Sequence, residues 1–293
     1  MSDPHGTVLY VSFGKGRHVC EVVASILSAA HFRSVRDGHV RICVITDDGS
    51  DFEKLPAEVV QMPEEVAQSW RGPDDYVYNV KIHALLHAMY HLGGPVAVLD
   101  GDTYFRRDPI ALFKRIHPGR ALMHVRECSL GQIDQTDHAD MRRALDGHAY
   151  TSRRGDELKL GTGMPCWNSG VVGVHPADAA LVEEAVALSA LINRLSGART
   201  AEQMALGQLL ERYTKLRGCR DIVFHYWWPP VRRDFSRDLP QLLKATAHLD
   251  PANRWAALHS QRPHHSPKFR LKRWIRENLL VPAGLRERFY PMS

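Results

Sequence analysis

Pro95-Val96-Ala97-Val98-Leu99-Asp100-Gly101-Asp102-Thr103-Tyr104 joins an apolar run directly to two carboxylates. Val96 to Leu99 have the character of a strand buried on both faces. In an extended chain, residues two apart project to the same side. Asp100 and Asp102 are therefore expected to present their carboxylates together, with Gly101 leaving room for a ligand between them. Two such groups repel unless a cation sits between them. Oxygen ligands suit a hard divalent ion, Mg²⁺ or Mn²⁺, whose shell is completed by waters and substrate phosphates. A plain turn accounts for the same residues, since Asp-Gly is common turn chemistry and Asp102 could cap the next segment. An EF-hand is excluded, because the twelfth position counted from Asp100 is Ala111 where a bidentate Glu is needed.

Upstream, residues 7–13 form a β-branched and aromatic run, followed by Gly14-Lys15-Gly16 and a helical pattern of Val19, Val22, Val23, Ile26 and Leu27. A strand, Gly-rich turn and helix in this order is where α/β proteins bind nucleotides. Neither the P-loop pattern nor Gly-x-Gly-x-x-Gly is present. Strands are predicted at Arg41 to Thr46 and at residues 58–62, and a helix at residues 78–92 with Ile82, Leu85, Leu86 and Met89 as its apolar stripe. His83, His87 and His91 run along the flank of that helix, a spacing that can place two imidazoles on one metal. Lys81 sits at the other edge, able to point into a cleft or merely to snorkel.

Downstream, Asp108-Pro109 opens a short helix through residue 116, and residues 120–125 form a strand. Residues 127–164 are polar with little periodicity, apart from a possible helix at 138–145, and are expected to form a substrate-facing insertion. Residues 167–175 (WNSGVVGVH) give a strand that starts with polar residues. Asn168 and Ser169 could bond a hydroxylated ligand and Gly170 could let it approach, or the segment is simply a turn into a strand. Helices come next at 177–195 and 200–213. The second begins Thr200-Ala201-Glu202-Gln203, a capping box that gives Gln203 a structural job as well as a place facing the cleft. A last strand spans 221–227, closed by Pro229-Pro230.

The 293 residues, 44% hydrophobic and 24% charged, are ordinary for a folded soluble chain able to bury a sizeable core. No run approaches the roughly 18 apolar residues of a membrane span, and the polar start lacks a signal-peptide core. A cytoplasmic protein is expected. The five cysteines are scattered without a Cys-x-x-Cys pair, pointing to reduced thiols rather than disulfides or zinc. The net charge of +5 is concentrated late, with eight Lys or Arg against two Glu between Arg262 and Arg288. The chain thus divides into residues 1–260 as one domain and 261–293 as a basic, helical tail.

These segments together resemble GT-A glycosyltransferases, most closely glycosyltransferase family 8, the glycogenin and lipopolysaccharide galactosyltransferase group. The resemblance rests on the turn after the first strand, the Lys-bearing helix, VLDGDTYFRRDPIALF at 98–113, WNSGVVGVH at 167–175 and AEQMALGQLL at 201–210. It implies an α/β fold with a mixed, Rossmann-like sheet flanked by helices. It also implies that Asp100 and Asp102 hold Mn²⁺ or Mg²⁺ against the diphosphate of a UDP-hexose. The family adds a histidine from a His-x-x-Gly-x-x-Lys-Pro-Trp pattern near the carboxyl terminus. His259 stands about where it is expected, but the Gly and the Lys-Pro-Trp of that pattern are missing, with only Lys268 nearby, and His225 in FHYWW competes with it. By the same carry-over, Lys81 contacts the diphosphate or donor sugar, and Tyr10, Ser12 and Asp47 line the nucleoside pocket. Asn168, Ser169, Glu202 and Gln203 face the transferred sugar, although Glu202 stands where the family has Asp.

The expected activity is metal-dependent hexosyl transfer to a glycan or lipid-linked hydroxyl acceptor of a cell-surface polysaccharide, with retention. A nucleotidyltransferase and a non-catalytic carbohydrate-binding protein are the alternatives, and no Gly-x-Ser-x-Gly elbow supports a hydrolase. In the tail, Trp274, Ile275, Leu279, Leu280 and Val281 interleave with basic residues. This fits a surface helix on anionic lipid at the inner face of a membrane, or a solvated helix packed on the domain. No recognition module accompanies these charges to suggest nucleic acid.

Overall fold

The structure, a computed structural model, describes residues 4–132, 136–227 and 229–259. It opens with β1 (Thr7–Ser12), α1 (Arg17–Ala30), α2 (Arg33–Arg36), β2 (Arg41–Thr46), β3 (Glu58–Gln61) and α3 (Glu64–Arg71). The chain then returns through α4 (Asn79–His91) to β4 (Val96–Leu99), β5 (Thr103–Phe105), α5 (Ile110–Phe113) and β6 (Leu122–Ser129). α6 (Thr136–Leu145) and the hairpin β7 (Ala149–Thr151) and β8 (Glu157–Lys159) precede β9 (Pro165–Val174), α7 (Ala179–Ser196) and α8 (Ala201–Tyr213). β10 (Arg217–Gly218), β11 (Val223–His225), α9 (Pro229–Ala245) and α10 (Pro251–His259) complete it.

Seven strands form one mixed sheet in the order β10-β6-β9-β4-β1-β2-β3. β4, β1, β2 and β3 run parallel, while β9 is antiparallel to both of its neighbours. Both faces are covered. Leu9, Val98 and Val172 meet Ile82 and Leu85 of α4, Leu188 of α7 and Leu209 of α8. On the other face, Val8, Tyr10, Ala97 and Leu99 meet Ile26 of α1, Leu239 of α9 and Trp255 of α10. This is why Val96–Leu99 is an unbroken apolar run: all four side chains are buried, and each fully buried Val or Leu contributes about 2 kcal/mol.

The topology fixes where a site can form. From β1 the chain winds outward to β3 and then crosses back to place β4 on the other side of β1. Ligands bind in the crevice beyond the carboxyl ends of strands at such a switch point, and those ends carry Val11, Phe13 and Asp100.

Several elements differ from their sequence reading. β6 runs four residues past the predicted end, because irregularities at Met123/Val125 and Arg126/Cys128 break the alternation that would have revealed it. The predicted strand at 221–227 shrinks to Val223–His225 and pairs antiparallel with β5, outside the main sheet. α9 and α10 were not expected. Proline is at home in the first turn of α9, but Pro240 lies inside it and disguises the helical run of Phe235, Leu239 and Leu243. Asp250 caps α10, accepting hydrogen bonds from the backbone of Ala252 and Asn253. Among the described residues no helix is long and apolar enough to cross a membrane. The basic tail, with Lys268, lies outside the described residues.

Candidate metal centre and cleft

Asp100 and Asp102 do converge, but through a bend rather than through strand alternation. β4 stops at Leu99 and the chain turns before β5, the turn being closed by the Thr103 hydroxyl donating to the Asp100 carbonyl at 2.8 Å. Two further backbone bonds hold the bend: Asp100 N–H donates to Gly170 O at 3.0 Å, and Tyr226 N–H donates to Asp102 O at 2.9 Å. The second bond brings the end of β11 against the bend, and with it His225. One ligand atom each from Asp100, Asp102 and His225 lie within 4.8 Å of one another, the only such group of three or more among the described residues.

His225 is oriented from behind. Asn168 Oδ1 accepts both from Gly170 N–H at 3.0 Å and from His225 Nδ1 at 2.8 Å, while its Nδ2 donates to Glu127 at 3.2 Å. Because Oδ1 is committed as an acceptor, the ring proton belongs on Nδ1, and Nε2 presents a lone pair. That lone pair faces Asp102 Oδ1 at 3.2 Å. Two acceptors at that distance are stable only with a proton or a cation between them. Two carboxylates and one imidazole are a donor set that suits Mn²⁺ or Mg²⁺, whose remaining positions water or phosphate oxygen would fill. The donor set therefore fits the expected metal.

Lys81, in the first turn of α4, is the neighbouring cation. Its Nζ lies 2.6 Å from Asp100 Oδ1 and 3.8 Å from Glu202 Oε1, and it donates to the Ser169 carbonyl. Burial opposes its charge, but Asp100 and Glu202 outweigh this and raise its pKa. Glu202 is 4% exposed. Its burial raises the carboxyl pKa despite Lys81 and the hydrogen bond from the Ser169 hydroxyl at 2.8 Å. Burial also works against the Asp102 carboxylate, yet when a proton rather than a metal ion fills the gap to His225 Nε2, the resulting imidazolium and Arg232 prevail and hold it at about 2.

These groups line one cleft of about 730 Å³, the size of a cofactor or nucleotide-sugar site. Its apolar and aromatic lining includes Val11, Phe13, Val77 and Tyr78, and the same cleft is lined by the charged Glu21, Arg71 and Arg232. On the β9 side it carries Glu127, Asn168, Gln203 and Trp227. No model of a known protein family matches this chain, and no curated protein does.

The structure brings Lys81, Asp100, Gly101, Asp102, Asn168, Ser169, Glu202, Gln203 and His225 together on this cleft. Tyr10, Ser12 and Asp47 are not on it. Tyr10 is fully buried on the α1 face with its hydroxyl 2.8 Å from Ser25 Oγ, and Ser12 is also buried. Alternate residues of β1 face opposite ways, so Val11 and the following Phe13 reach the cleft instead. Asp47 closes the turn after β1 by accepting from Gly14 N–H at 2.9 Å. The side chain of His259 lies outside those described, as does Lys268, so the third member of the described cluster is His225.

Both glycines make room for other parts of the protein. A Cβ at Gly101 would sit 2.8 Å from Val22 Cγ2, so its bareness admits α1. A Cβ at Gly170 would sit 2.1 Å from His225 Nδ1, so that glycine makes room for the imidazole. The capping box at Thr200 does not form. Gln203 instead accepts from Ser169 N–H at 3.2 Å, which ties the start of α8 to β9. The histidine row on α4 packs against Trp70, with the His83 ring stacked at 6.1 Å, and gathers no third ligand among the described residues.

Three residues escaped the sequence reading: Glu21, Glu127 and Arg232. The helical spacing of Phe235, Leu239 and Leu243 was the available signal for α9 and hence for Arg232; nothing local marks Glu21.

Proposed function

We propose that this chain is a metal-dependent glycosyltransferase of GT-A type that moves a hexose from a nucleotide sugar, a UDP-hexose, to the hydroxyl of a glycan or lipid-linked acceptor, with retention. The observation that carries the reading is the convergence of Asp100, Asp102 and His225 beside Lys81 in one cleft at the topological switch point. Mn²⁺ or Mg²⁺ held by these three residues would supply Lewis-acid stabilisation of the negative charge on a departing diphosphate.

The rest of the chemistry falls to side chains of this chain. Lys81 is already ionised and buried beside Asp100, so it can transfer part of its attraction to a phosphate oxygen whose charge grows in the transition state. Asn168 holds the Nδ1 proton of His225 and keeps Nε2 aimed at the aspartates. Ser169 binds Glu202 and Gln203 at once, fixing the wall against which a sugar would lie. The amide nitrogen of Gln203, opposite the oxygen that Ser169 engages, is suited to a sugar hydroxyl. The apolar wall of Val11, Phe13, Val77 and Tyr78 suits a nucleobase. Lys15, the basic residue of the loop after β1, leans on Asp48 at 3.8 Å in solvent, which gives a nucleotidyltransferase reading no support.

Purified protein incubated with a panel of UDP-sugars and Mn²⁺ is expected to release UDP, and Asp102→Ala to abolish the release. Turnover that survives both EDTA and that substitution would refute the reading, and pyrophosphate release from a nucleoside triphosphate would transfer the case to a nucleotidyltransferase.

A further inference from the structure

Glu21 on α1 and Arg232 on α9 meet beneath the metal cluster. Glu21 is 1% exposed. Arg232 Nε lies 2.9 Å from its Oε1 and Nη2 lies 2.6 Å from its Oε2, a planar two-point pair; the Ser236 hydroxyl adds a third bond to Oε1. The remaining guanidinium nitrogen, Nη1, reaches Asp102 Oδ2 at 2.8 Å. The two oxygens of Asp102 therefore have separate duties. Oδ2 is held by Arg232, and Oδ1 faces His225 Nε2 at 3.2 Å. Asp102 is itself 4% exposed and hemmed in, so it does not rotate freely to offer both oxygens to one ion.

We propose that the Glu21–Arg232 clamp restricts Asp102 to one-oxygen ligation and so makes the centre selective for Mn²⁺ or Mg²⁺ over Ca²⁺; this rests on the metal reading above. Small divalent ions demand near-octahedral shells, which single oxygens fill well. Ca²⁺ is larger, takes six to eight ligands and readily accepts a carboxylate through both oxygens. Holding Oδ2 away removes the contact that would favour the larger ion. Arg232 is a specificity-determining residue in this scheme and Glu21 a positioning residue for it. A guanidinium that merely offset charge would weaken all divalent cations alike, so the ratio of two affinities separates the two roles.

The test uses the full chain and calorimetric titration with Mn²⁺ and with Ca²⁺, alone and with excess UDP. Arg232→Gln frees Oδ2 but strands the buried Glu21. The double variant Glu21→Gln/Arg232→Gln keeps a neutral amide pair in that space and serves if the single variant folds poorly. In either, the ratio of the Ca²⁺ to the Mn²⁺ dissociation constant is expected to fall by about tenfold, the scale of outer-shell effects on metal sites. A wild-type protein that binds Mn²⁺ together with variants whose ratio stays within about twofold of it would overturn the clamp and leave the metal reading standing. A wild-type protein that binds neither ion, with or without UDP, would remove both.

Discussion

His225 Nδ1 lies 2.8 Å from Asn168 Oδ1, and this bond determines which nitrogen of the imidazole faces the two aspartates. Asn168→Ala removes the acceptor and leaves a buried ring N–H without its partner. The substitution is expected to weaken Mn²⁺ binding by about 10- to 100-fold and to lower stability by about 1–3 kcal/mol. Titration with Mn²⁺ followed by the signal of the free ion reads the first effect. Unchanged affinity would mean that His225 is held by something else.

The two glycines give a paired comparison. Gly170→Ala would drive a methyl into the His225 ring, whereas Gly101→Ala would drive one into Val22 of α1. The first is expected to abolish Mn²⁺ binding. The second is expected to destabilise the whole domain by roughly 1–3 kcal/mol as α1 is pushed away from the bend that leads into β5. Thermal unfolding of the two variants with and without Mn²⁺ separates the outcomes, and an Ala at residue 170 that binds the ion normally would contradict the packing argument.

The two buried carboxylates titrate in opposite directions. The pKa of Glu202 is higher in the fold than in the unfolded chain. The stability linked to its protonated form is thus fully present below about pH 4 and is lost as pH rises through the folded-state value. Glu202→Gln retains an acceptor for Ser169 without the charge. It is expected to be more stable than wild type near about pH 7, with the difference vanishing toward about pH 4. Asp102, held at about 2, contributes in the other sense: its stabilisation is present above the ordinary aspartate range and is lost as the pH falls toward that value. Unfolding midpoints of both proteins across this range check the sign.

Lys81 balances Asp100 and the buried Glu202. Lys81→Met leaves both carboxylates short of a partner, and a loss of about 3 kcal/mol is expected. If the lysine also follows charge onto a departing phosphate, kcat is expected to fall by more than KM rises. An effect confined to KM would assign Lys81 to ground-state binding alone.

Metal addition gives a direct reading on the unmodified protein. At a hundredfold excess over its Kd, Mn²⁺ is expected to stabilise the fold by about 2.7 kcal/mol and raise Tm by roughly 5 °C. EDTA should reverse the shift and Asp102→Asn should not show it. A Tm indifferent to Mn²⁺ in the presence of UDP would count against the centre.

The parts of this fold that were legible in the sequence are those whose signal is local. β2 and β4 are apolar runs buried on both faces, and their bounds match the reading to the residue. That same double burial hid which face of β1 matters, since Tyr10 and Val11 are equally apolar and only the packing of α1 against one face distinguishes them. Asp100 and Asp102 could be singled out because two carboxylates directly follow an apolar run, although the same residues also read as a turn. The roles of Gly101 and Gly170 could not be read, because the atoms each makes room for belong to distant segments. His225 was weighed as a ligand, whereas Glu127 lay in a polar stretch with no period to mark it.

The separations along the chain carry a consequence for how this protein matures. Asp102 and His225 are 123 positions apart, and Glu21 and Arg232 are 211 apart. During synthesis the early strands can pair long before the ribosome has delivered His225, the third member of the cluster, or Arg232. Ion capture would then be among the last native events, and uptake of Mn²⁺ by nascent chains of increasing length would serve as a clock for completion of the domain.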